Sequence, residues 1–385
     1  MPENYLQLQP KEERAEVDLE PPGPGGGVRV KTPRLKPGRP LELRVESLKS
    51  PVPPELIIES SVLNKLSRQG VVVKVESDLD TCKEIFEAYS PKNNLFDTWG
   101  FRYAFFVGYK NLPIFITFEK QGEVVGVLPL WFEAQKKELR WFGSWWQEGN
   151  TFWFKDLKCL KAVLGKFNYK VLLNALKVDS KVAKMFHLEK DDPKYQLSLE
   201  EYPTQEDFLQ RFTAKKRYNL KRDSRIILSK KPKTIYNRFR DIERLFDLSI
   251  KRFEKRDGSP FENEARKETF REILKQAGSP AQAGSPAQAG EYSVRMISTE
   301  IDGEVAGVDL MAVHKDTCCA LQGAYDLDKH PGLGNYSNLL IMDDARALGA
   351  KVIDFLEVSY DWKESWFDPI KLYQYKQGPN GREFE

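Results

Sequence analysis

The chain has 385 residues, of which 41% are apolar, and this is enough to build the cores of two ordinary domains. Its 60 basic and 57 acidic residues leave a net charge of +3, so overall charge gives no reason to expect nucleic acid or a membrane surface as partner. No apolar run approaches about 18 residues, which argues against a membrane span. The N-terminus is polar and lacks the apolar region of a secretory signal, so we expect a cytoplasmic protein.

Two segments lack the apolar periodicity that a packed core requires. Residues 1–53 contain PPGPGGG and many charges, which predicts a disordered arm. Residues 277–290 read AGSPAQAGSPAQAG, a repeat of small residues too short to bury a face, which predicts a flexible insertion in a surface loop. The four cysteines are too scattered for a disulfide framework, and Cys318 and Cys319 should point to opposite faces of one strand.

The pattern from residue 54 to residue 200 alternates between strand and helix. It predicts a strand at Val71–Val75, a helix at Leu79–Tyr89, and strands at Pro113–Phe118, Glu123–Leu130 and Leu139–Phe142. Residues 201–385 show a stronger version of the same order. After a basic helix at Glu206–Leu228, the predicted elements are two helices, three antiparallel strands ending with Cys318–Tyr325, a helix, a strand at Lys351–Leu356 and a last strand near Lys371–Lys376. We therefore expect an α+β fold of two similar lobes, 54–200 and 201–385.

A glycine-rich loop separates the third of those strands from the next helix. The sequence KHPGLG ends at Gly334, and Gly332 and Gly334 permit positive φ and close backbone approach. Asn335 or Ser337 is expected to cap the helix. Backbone N–H groups at such a helix start favour an anion such as pyrophosphate, although an ordinary strand-to-helix turn has the same appearance.

Several side chains near the last helix-strand unit are candidates for chemistry. Asp354 ends a predicted strand, and Glu357, Tyr360 and Asp361 follow it; a carboxylate there can accept an amine proton, but turn-capping carboxylates look alike. Lys363 lies between Trp362 and Trp366, where an ammonium group can stabilise charge on a carbonyl oxygen or leaving group; the alternative is a surface lysine packed on tryptophan. Tyr325 and Tyr336 are possible donors to a leaving thiolate.

The basic helix and the histidines bear on other ligands. Lys215, Lys216, Arg217, Lys221, Arg222 and Arg225 either attract phosphates or RNA, or simply form a solvated face. The three histidines show no metal-ligand spacing, and the cysteines form no CxxC pair, so we predict no metal site.

Three stretches together resemble the FemAB-like acyltransferases of the GNAT fold, and more narrowly their CelD-type group. They are FLQRFTAKKRYNLKR (208–222), GNYSNLLIMDDARALGAKVIDFL (334–356) and YDWKESW (360–366). A fourth stretch, EVVGVLPL (123–130), resembles a strand of the N-terminal lobe. The resemblance implies two tandem GNAT-like lobes, each with a mixed, mostly antiparallel sheet flanked by helices. It also implies acyl-CoA as co-substrate, without a tightly bound cofactor, and an amine acceptor on a small molecule, sugar or cell-envelope precursor.

The resemblance also suggests roles for individual residues. Lys363 matches the lysine of the family's aromatic-lysine motif and would stabilise the reacting carbonyl. Asp354, Glu357 and Tyr360 would complete the catalytic set. Gly332, Gly334, Asn335 and Tyr336 would bind the donor phosphates, and Arg217, Tyr325 and Trp362 would contact substrate.

Two other functions stay open at this point. One is a Fem-type transferase that takes its aminoacyl group from tRNA, which would bind the basic helix. The other is a non-enzymatic module that binds polysaccharide or serves in assembly, with sugar stacked on Trp141, Trp145, Trp146 and Trp153.

Overall fold

Two mixed β-sheets flanked by helices make up the α+β fold, as the sequence predicts. A computed structural model describes residues 51–144, 146–254, 258–279, 290–357 and 361–379. Nearly all of the predicted N-terminal arm, most of the repeat insertion, Trp145 and Tyr360 lie outside the described residues.

The first sheet has the strand order β1-β2-β3-β4-β6-β15-β7, and β5 pairs with β3. Its strands are β1 (Val71–Glu76), β2 (Leu112–Lys120), β3 (Glu123–Glu133), β4 (Glu138–Trp141), β5 (Trp153–Phe154), β6 (Lys170–Leu176), β7 (Glu189–Lys190) and β15 (Tyr373–Gln377). The second sheet has the order β14-β8-β13-β12-β11-β10-β9. Its strands are β8 (Lys194–Ser198), β9 (Lys233–Tyr236), β10 (Ser293–Ile301), β11 (Glu304–His314), β12 (Thr317–Tyr325), β13 (Val352–Asp354) and β14 (Pro369–Ile370).

The α-helices of the described residues fall into two groups along the chain. The earlier group comprises α1 (Ser60–Arg68), α2 (Leu79–Tyr89), α3 (Trp99–Tyr109), α4 (Leu157–Val163) and α5 (Ser180–Met185). The later group comprises α6 (Gln205–Gln210), α7 (Ala214–Ser229), α8 (Ile242–Phe253), α9 (Glu264–Gln276), α10 (Leu333–Ala347) and α11 (Asp361–Trp366).

The two sheets share one plan, because in each a three-strand antiparallel meander is followed by a helix and a parallel strand. In the first sheet, β2, β3 and β4 lead through α4 to β6, which pairs in parallel with β4. In the second, β10, β11 and β12 lead through α10 to β13, which pairs in parallel with β12. The weaker repeat seen in the first half of the sequence is therefore a real structural repeat.

Each sheet also borrows a strand from the other half of the chain. β8, before residue 200, pairs with β13 of the second sheet, and β15, near the C-terminus, pairs with β6 of the first. The sheets therefore do not divide at residue 200, where the sequence places the lobe boundary. Short-range patterning cannot assign a strand to a partner so distant in the chain.

A continuous apolar cluster connects the two halves. It includes Phe101 and Phe105 of α3 as well as Met296 and Leu310 of the second sheet. Cys319 belongs to this cluster, whereas Cys318 packs in a cluster on the opposite face with α10. The prediction that the adjacent cysteines face opposite ways is therefore confirmed, and all four cysteines are free and buried.

Two helices of the second half differ from the sequence prediction. The basic segment forms α6 and α7 rather than one helix, because Thr213 caps a new helix by accepting from the Lys216 N–H. Helix α10 begins at Leu333, earlier than expected, with Gly332 as its N-cap at φ +90°. The predicted caps Asn335 and Ser337 lie inside the helix and were wrong.

We predict that Tyr375→Ala on β15 destabilises the protein by about 3–5 kcal/mol, because Tyr375 is buried in the core of the first sheet. Tyr218→Ala, at an exposed tyrosine of α7, should change stability by no more than about 0.5 kcal/mol. Urea unfolding of both variants measures this. Equal stabilities would show that β15 does not anchor the first sheet.

Candidate active site

Four charged side chains from distant parts of the chain meet in one buried cluster. Glu148, Lys194, Asp354 and Lys363 are each less than 8% exposed. The Lys194 Nζ lies 2.6 Å from Asp354 Oδ2 and 3.7 Å from Glu148 Oε2. Burying an ion costs several kcal/mol unless an opposite charge or hydrogen bonds compensate it, so each of the four side chains needs such a partner.

Strand β8 supplies one of the two lysines of the cluster, Lys194. Lys194 and Gln196 are two residues apart and so project from the same face of β8. Gln196 is in register with Asp354, and its Nε2 donates to Asp354 Oδ2 over 3.0 Å. The pairing of β8 with β13 therefore brings Lys194 and Gln196 to Asp354.

Three hydrogen-bond donors already surround the Asp354 carboxylate. Its carboxylate accepts from Lys194, Gln196 and the Leu356 N–H, the last at 2.9 Å. These contacts hold the end of β13 against β8, so Asp354, a predicted catalytic residue, has a structural role here.

Glu148 is better suited to act as a base, and the sequence analysis missed it. One carboxylate oxygen accepts the Glu357 N–H at 2.7 Å, while Oε2 accepts no hydrogen bond. Burial, opposed by Lys194, raises the pKa of Glu148 to about 7. A carboxylate of this pKa exchanges its proton readily at neutral pH. Its local sequence, QEGN, carries no signal that distinguishes it from a turn.

Lys363 and Glu357, two of the predicted catalytic residues, lie at this cluster and contact each other through the Glu357 backbone. The Lys363 Nζ donates to the carbonyl oxygen of Glu357 at 2.7 Å. Burial lowers the pKa of Lys363 to about 8, against the opposing effect of the acidic neighbours. Burial and the nearby Glu148 raise the pKa of Glu357 to about 10, so this carboxyl is protonated at neutral pH and does not serve as a base.

The cluster lies where two strands of the second sheet separate. β13 pairs with β12 only from Thr317 to Cys319, and Cys319 is opposite Asp354. Among the described residues, no strand pairs with this side of β12 beyond Cys319, although β12 continues to Tyr325. The pairing of β12 with β11 also skips Leu321, which forms a bulge. The edge of β12 from Ala320 to Tyr325 is therefore not paired with another described strand, and it leads away from the charged cluster.

The corresponding separation in the first sheet is filled by the chain itself. β4 and β6 pair only from Glu138 to Arg140 on β4. Beyond that point Asn150 bridges to Leu176, and the Trp141 Nε1 donates to the carbonyl oxygen of Asn174. In the second sheet, by contrast, no strand of the described residues pairs with β12 beyond Cys319.

The start of α10 faces a carboxylate rather than open space. A side chain at Gly332 would approach the Asp223 Cβ to 3.0 Å, and the Asn335 Nδ2 donates to Asp223 Oδ2 at 2.8 Å. Asp223 also accepts from Arg222. An anion bound at Gly332 and Gly334 would have to displace this carboxylate, so the assignment of donor phosphates to this loop stays a prediction.

The other predicted substrate contacts are dispersed. The Arg217 guanidinium donates to Gln210, Trp362 packs edge-on against Phe355, and Tyr336 lines a cavity of about 220 Å³ between α7 and α10. An adjoining cavity of about 400 Å³ extends along α6 and α7. Neither cavity reaches the charged cluster, which we favour as the site because its burial and charge pairing are chemically specific.

Tyr325 lies in a second buried polar group. Its hydroxyl donates to Asp309 Oδ1, while Asp309 Oδ2 has no hydrogen-bond partner. Burial raises the pKa of Asp309 to about 7. Tyr325 therefore acts in packing beneath the first turn of α10 in this conformation.

The part of the chain that the structure describes contains no cluster of ligands suited to a metal ion. Likewise, no helix within the described ranges is both long and apolar enough to cross a membrane.

Comparison with known proteins finds a family match in the second half of the chain. Residues 214–364 match a family described as Acetyltransferase (GNAT) domain. The matched segment spans 151 of the chain's 385 residues. It contains α10, β12, β13 and Lys363, whereas Glu148 and Lys194 lie before it.

Several solved structures resemble the chain at low sequence identity. FemX is 11% identical with a TM-score of 0.49, and the match covers 80% of this chain and 96% of FemX. A tandem GNAT protein from the clavulanic acid biosynthesis pathway is 8% identical with a TM-score of 0.45, over 82% of this chain and all (100%) of that one. A conserved protein of unknown function from Bacteroides thetaiotaomicron VPI-5482 is 8% identical with a TM-score of 0.47, over 79% and 98% of the two chains. No curated protein matches the sequence.

The Asp309 carboxyl makes stability depend on pH. Unfolded, it loses its proton near pH 3.8, and folded only near about 7, so between these values the folded state alone holds the proton and stability falls as pH rises. We predict that Asp309→Asn gains stability relative to the wild type as pH rises from about 4 to about 8. Thermal unfolding across this range measures it; parallel curves for the two proteins would contradict the raised pKa of the buried Asp309 carboxyl.

Proposed function

We propose that the protein is an N-acyltransferase that moves an acyl group from an acyl thioester, most simply acyl-CoA, to an amine. The amine belongs to a small molecule, a sugar or a cell-envelope precursor. The observation that carries the proposal is the open edge of β12 with a buried cluster of ionisable groups at its closed end. The GNAT-type domain supports it, because such domains generally use acyl-CoA as co-substrate.

In the proposed reaction the amine attacks the thioester carbonyl directly. The Glu148 carboxylate takes the proton that the amine loses, and the C–S bond then breaks to release the thiolate. The Lys363 ammonium group stabilises the oxyanion or the departing thiolate through its charge. Asp354, neutralised by Lys194, keeps the end of β13 in place without taking part in proton transfer.

The donor would lie along β12 beyond Cys319. Unpaired backbone groups on this edge can bond the donor's amide chain as a further strand would, which orients the thioester toward the cluster. The donor phosphates would then reach the start of α10 once Asp223 moves aside. A cytoplasmic location stays a prediction.

The structure favours neither of the alternative functions. In α7, Lys221 and Arg222 already pair with the carboxylates of Glu206 and Asp223, which offsets part of the positive charge that would attract tRNA phosphate. In the polysaccharide-binding hypothesis sugar would stack on Trp141, but this side chain is only 1% exposed.

We predict that Lys363→Met lowers kcat by about 100-fold or more, the usual loss when a group that stabilises the oxyanion is removed. Methionine keeps the apolar stem, so the melting temperature tests folding separately. The matched control is Lys351→Met, at an exposed lysine of the same lobe whose partner Glu200 is also exposed, and it should retain full activity. Full activity of a folded Lys363→Met protein would reject the role.

The rate should depend on pH with two limbs. Glu148 must be ionised and Lys363 protonated, so kcat/KM should rise through about pH 7 and fall above about pH 8. Glu148→Gln should remove the acidic limb and lower kcat about 100-fold. An acidic limb that survives in this variant would place the base elsewhere.

Side-by-side titrations distinguish the donors. Acetyl-CoA should bind and release thiol with at least one member of a panel of amino sugars, amino acids and polyamines. Charged tRNA should bind only weakly, with an affinity that vanishes at moderate salt. Turnover with charged tRNA but not with acetyl-CoA would overturn the choice of donor.

A further inference from the structure

A buried arginine of α3 holds the chain on both sides of Glu148. Arg102 is 1% exposed, although it carries a permanent charge. Its Nε donates to the Phe96 carbonyl oxygen at 2.5 Å, Nη1 to the Phe142 carbonyl oxygen at 3.0 Å and Nη2 to Asn150 Oδ1 at 2.7 Å. One planar side chain thus bonds to two backbone carbonyl groups and one side-chain amide.

Two of these three acceptors border the connection between β4 and β5 that carries Glu148. Phe142 lies just after β4, where its N–H donates to the Pro129 carbonyl oxygen, and Asn150 lies two residues after Glu148. The Asn150 side chain also donates to the Asn174 carbonyl oxygen on β6 at 3.0 Å, and its N–H donates to the Ala175 carbonyl oxygen. Both borders are therefore tied to the first sheet and, through Arg102, to α3.

The connection fits closely against α3. Gly143 has φ +72°, and a Cβ there would lie 2.8 Å from the Arg102 carbonyl oxygen. This close approach permits glycine alone, since any larger residue would push the connection away from the helix. At the other end, the Gly149 carbonyl oxygen accepts from the Asn94 side chain at 3.3 Å.

We propose that Arg102 positions Glu148 for proton transfer by fixing both borders of this connection. The inference rests on the proposed function of Glu148. From Asn150 the backbone leads directly to Glu148, whose carboxylate receives the Glu357 N–H in the second lobe. Arg102 is thus a positioning residue: it touches neither the carboxylate nor the cluster, and it transmits the geometry of the first lobe to the site in the second.

The test is Arg102→Lys, which keeps the buried charge but loses the planar fork that reaches three acceptors. A displacement of about 1 Å at a reacting group can cost about 100-fold in rate, so we expect kcat with acetyl-CoA and the best amine of the panel to fall at least about tenfold. KM should change little, because the donor contacts on β12 are untouched.

A double-variant cycle separates positioning from a general loss of structure. If Arg102 acts through Glu148, adding Arg102→Lys to Glu148→Gln should cost almost nothing more in kcat. Independent losses that multiply would overturn the inference. An inert Glu148→Gln substitution would instead reject the proposed function, so the two failures are distinguishable.

A measurement without substrate tests independently whether Arg102 orders the connection that carries Glu148. Hydrogen–deuterium exchange of Arg102→Lys should rise in peptides covering residues 146–150, with the second sheet protected as in the wild type. Unchanged exchange in 146–150 overturns the inference. So does a variant that fails to fold or loses protection throughout, because Arg102 is then required for folding in general.

Discussion

The ion pair between Lys194 and Asp354 is the interaction on which the site depends. It joins β8 to β13, the strand that pairs in parallel with β12. The Lys194 Nζ lies 2.6 Å from Asp354 Oδ2, and both side chains are buried. Burial by itself lowers the pKa of Lys194, but Asp354 and Glu148 outweigh it and raise this pKa above its ordinary value. Loss of either partner leaves a buried charge uncompensated, at a cost of about 3–5 kcal/mol.

The same pair explains why two lobes are needed for one site. The GNAT-type segment 214–364 contains Lys363 and the open edge of β12, yet Glu148 and Lys194 lie before residue 214. The exchanged strand brings Lys194 in, and the connection that fills the first sheet's strand separation brings Glu148 in. The first lobe therefore supplies side chains to a cluster that lies at the second sheet.

The sequence predicted what local patterns determine. The meander, the helix α10 and the parallel strand β13 follow from periodicity and turn residues. The sequence also singled out Asp354, Glu357 and Lys363, which lie near one another in the structure. The strand exchange and Glu148 could not be predicted, because both depend on contacts between residues more than 150 positions apart. The start of α10 was misplaced for a local reason, since Gly332 rather than a polar side chain ends the preceding turn.

We propose that an acyl thioester binds in the separation between β12 and β13, with its carbonyl directed at the buried cluster. A crystal structure with bound CoA is the decisive experiment. We expect the pantetheine arm to follow Ala320–Gly323 and the sulfur to point toward Lys363 and Glu148, and we expect Asp223 to have left the first turn of α10. CoA bound along α6 and α7 instead, with Asp223 still in contact with Asn335, would contradict it.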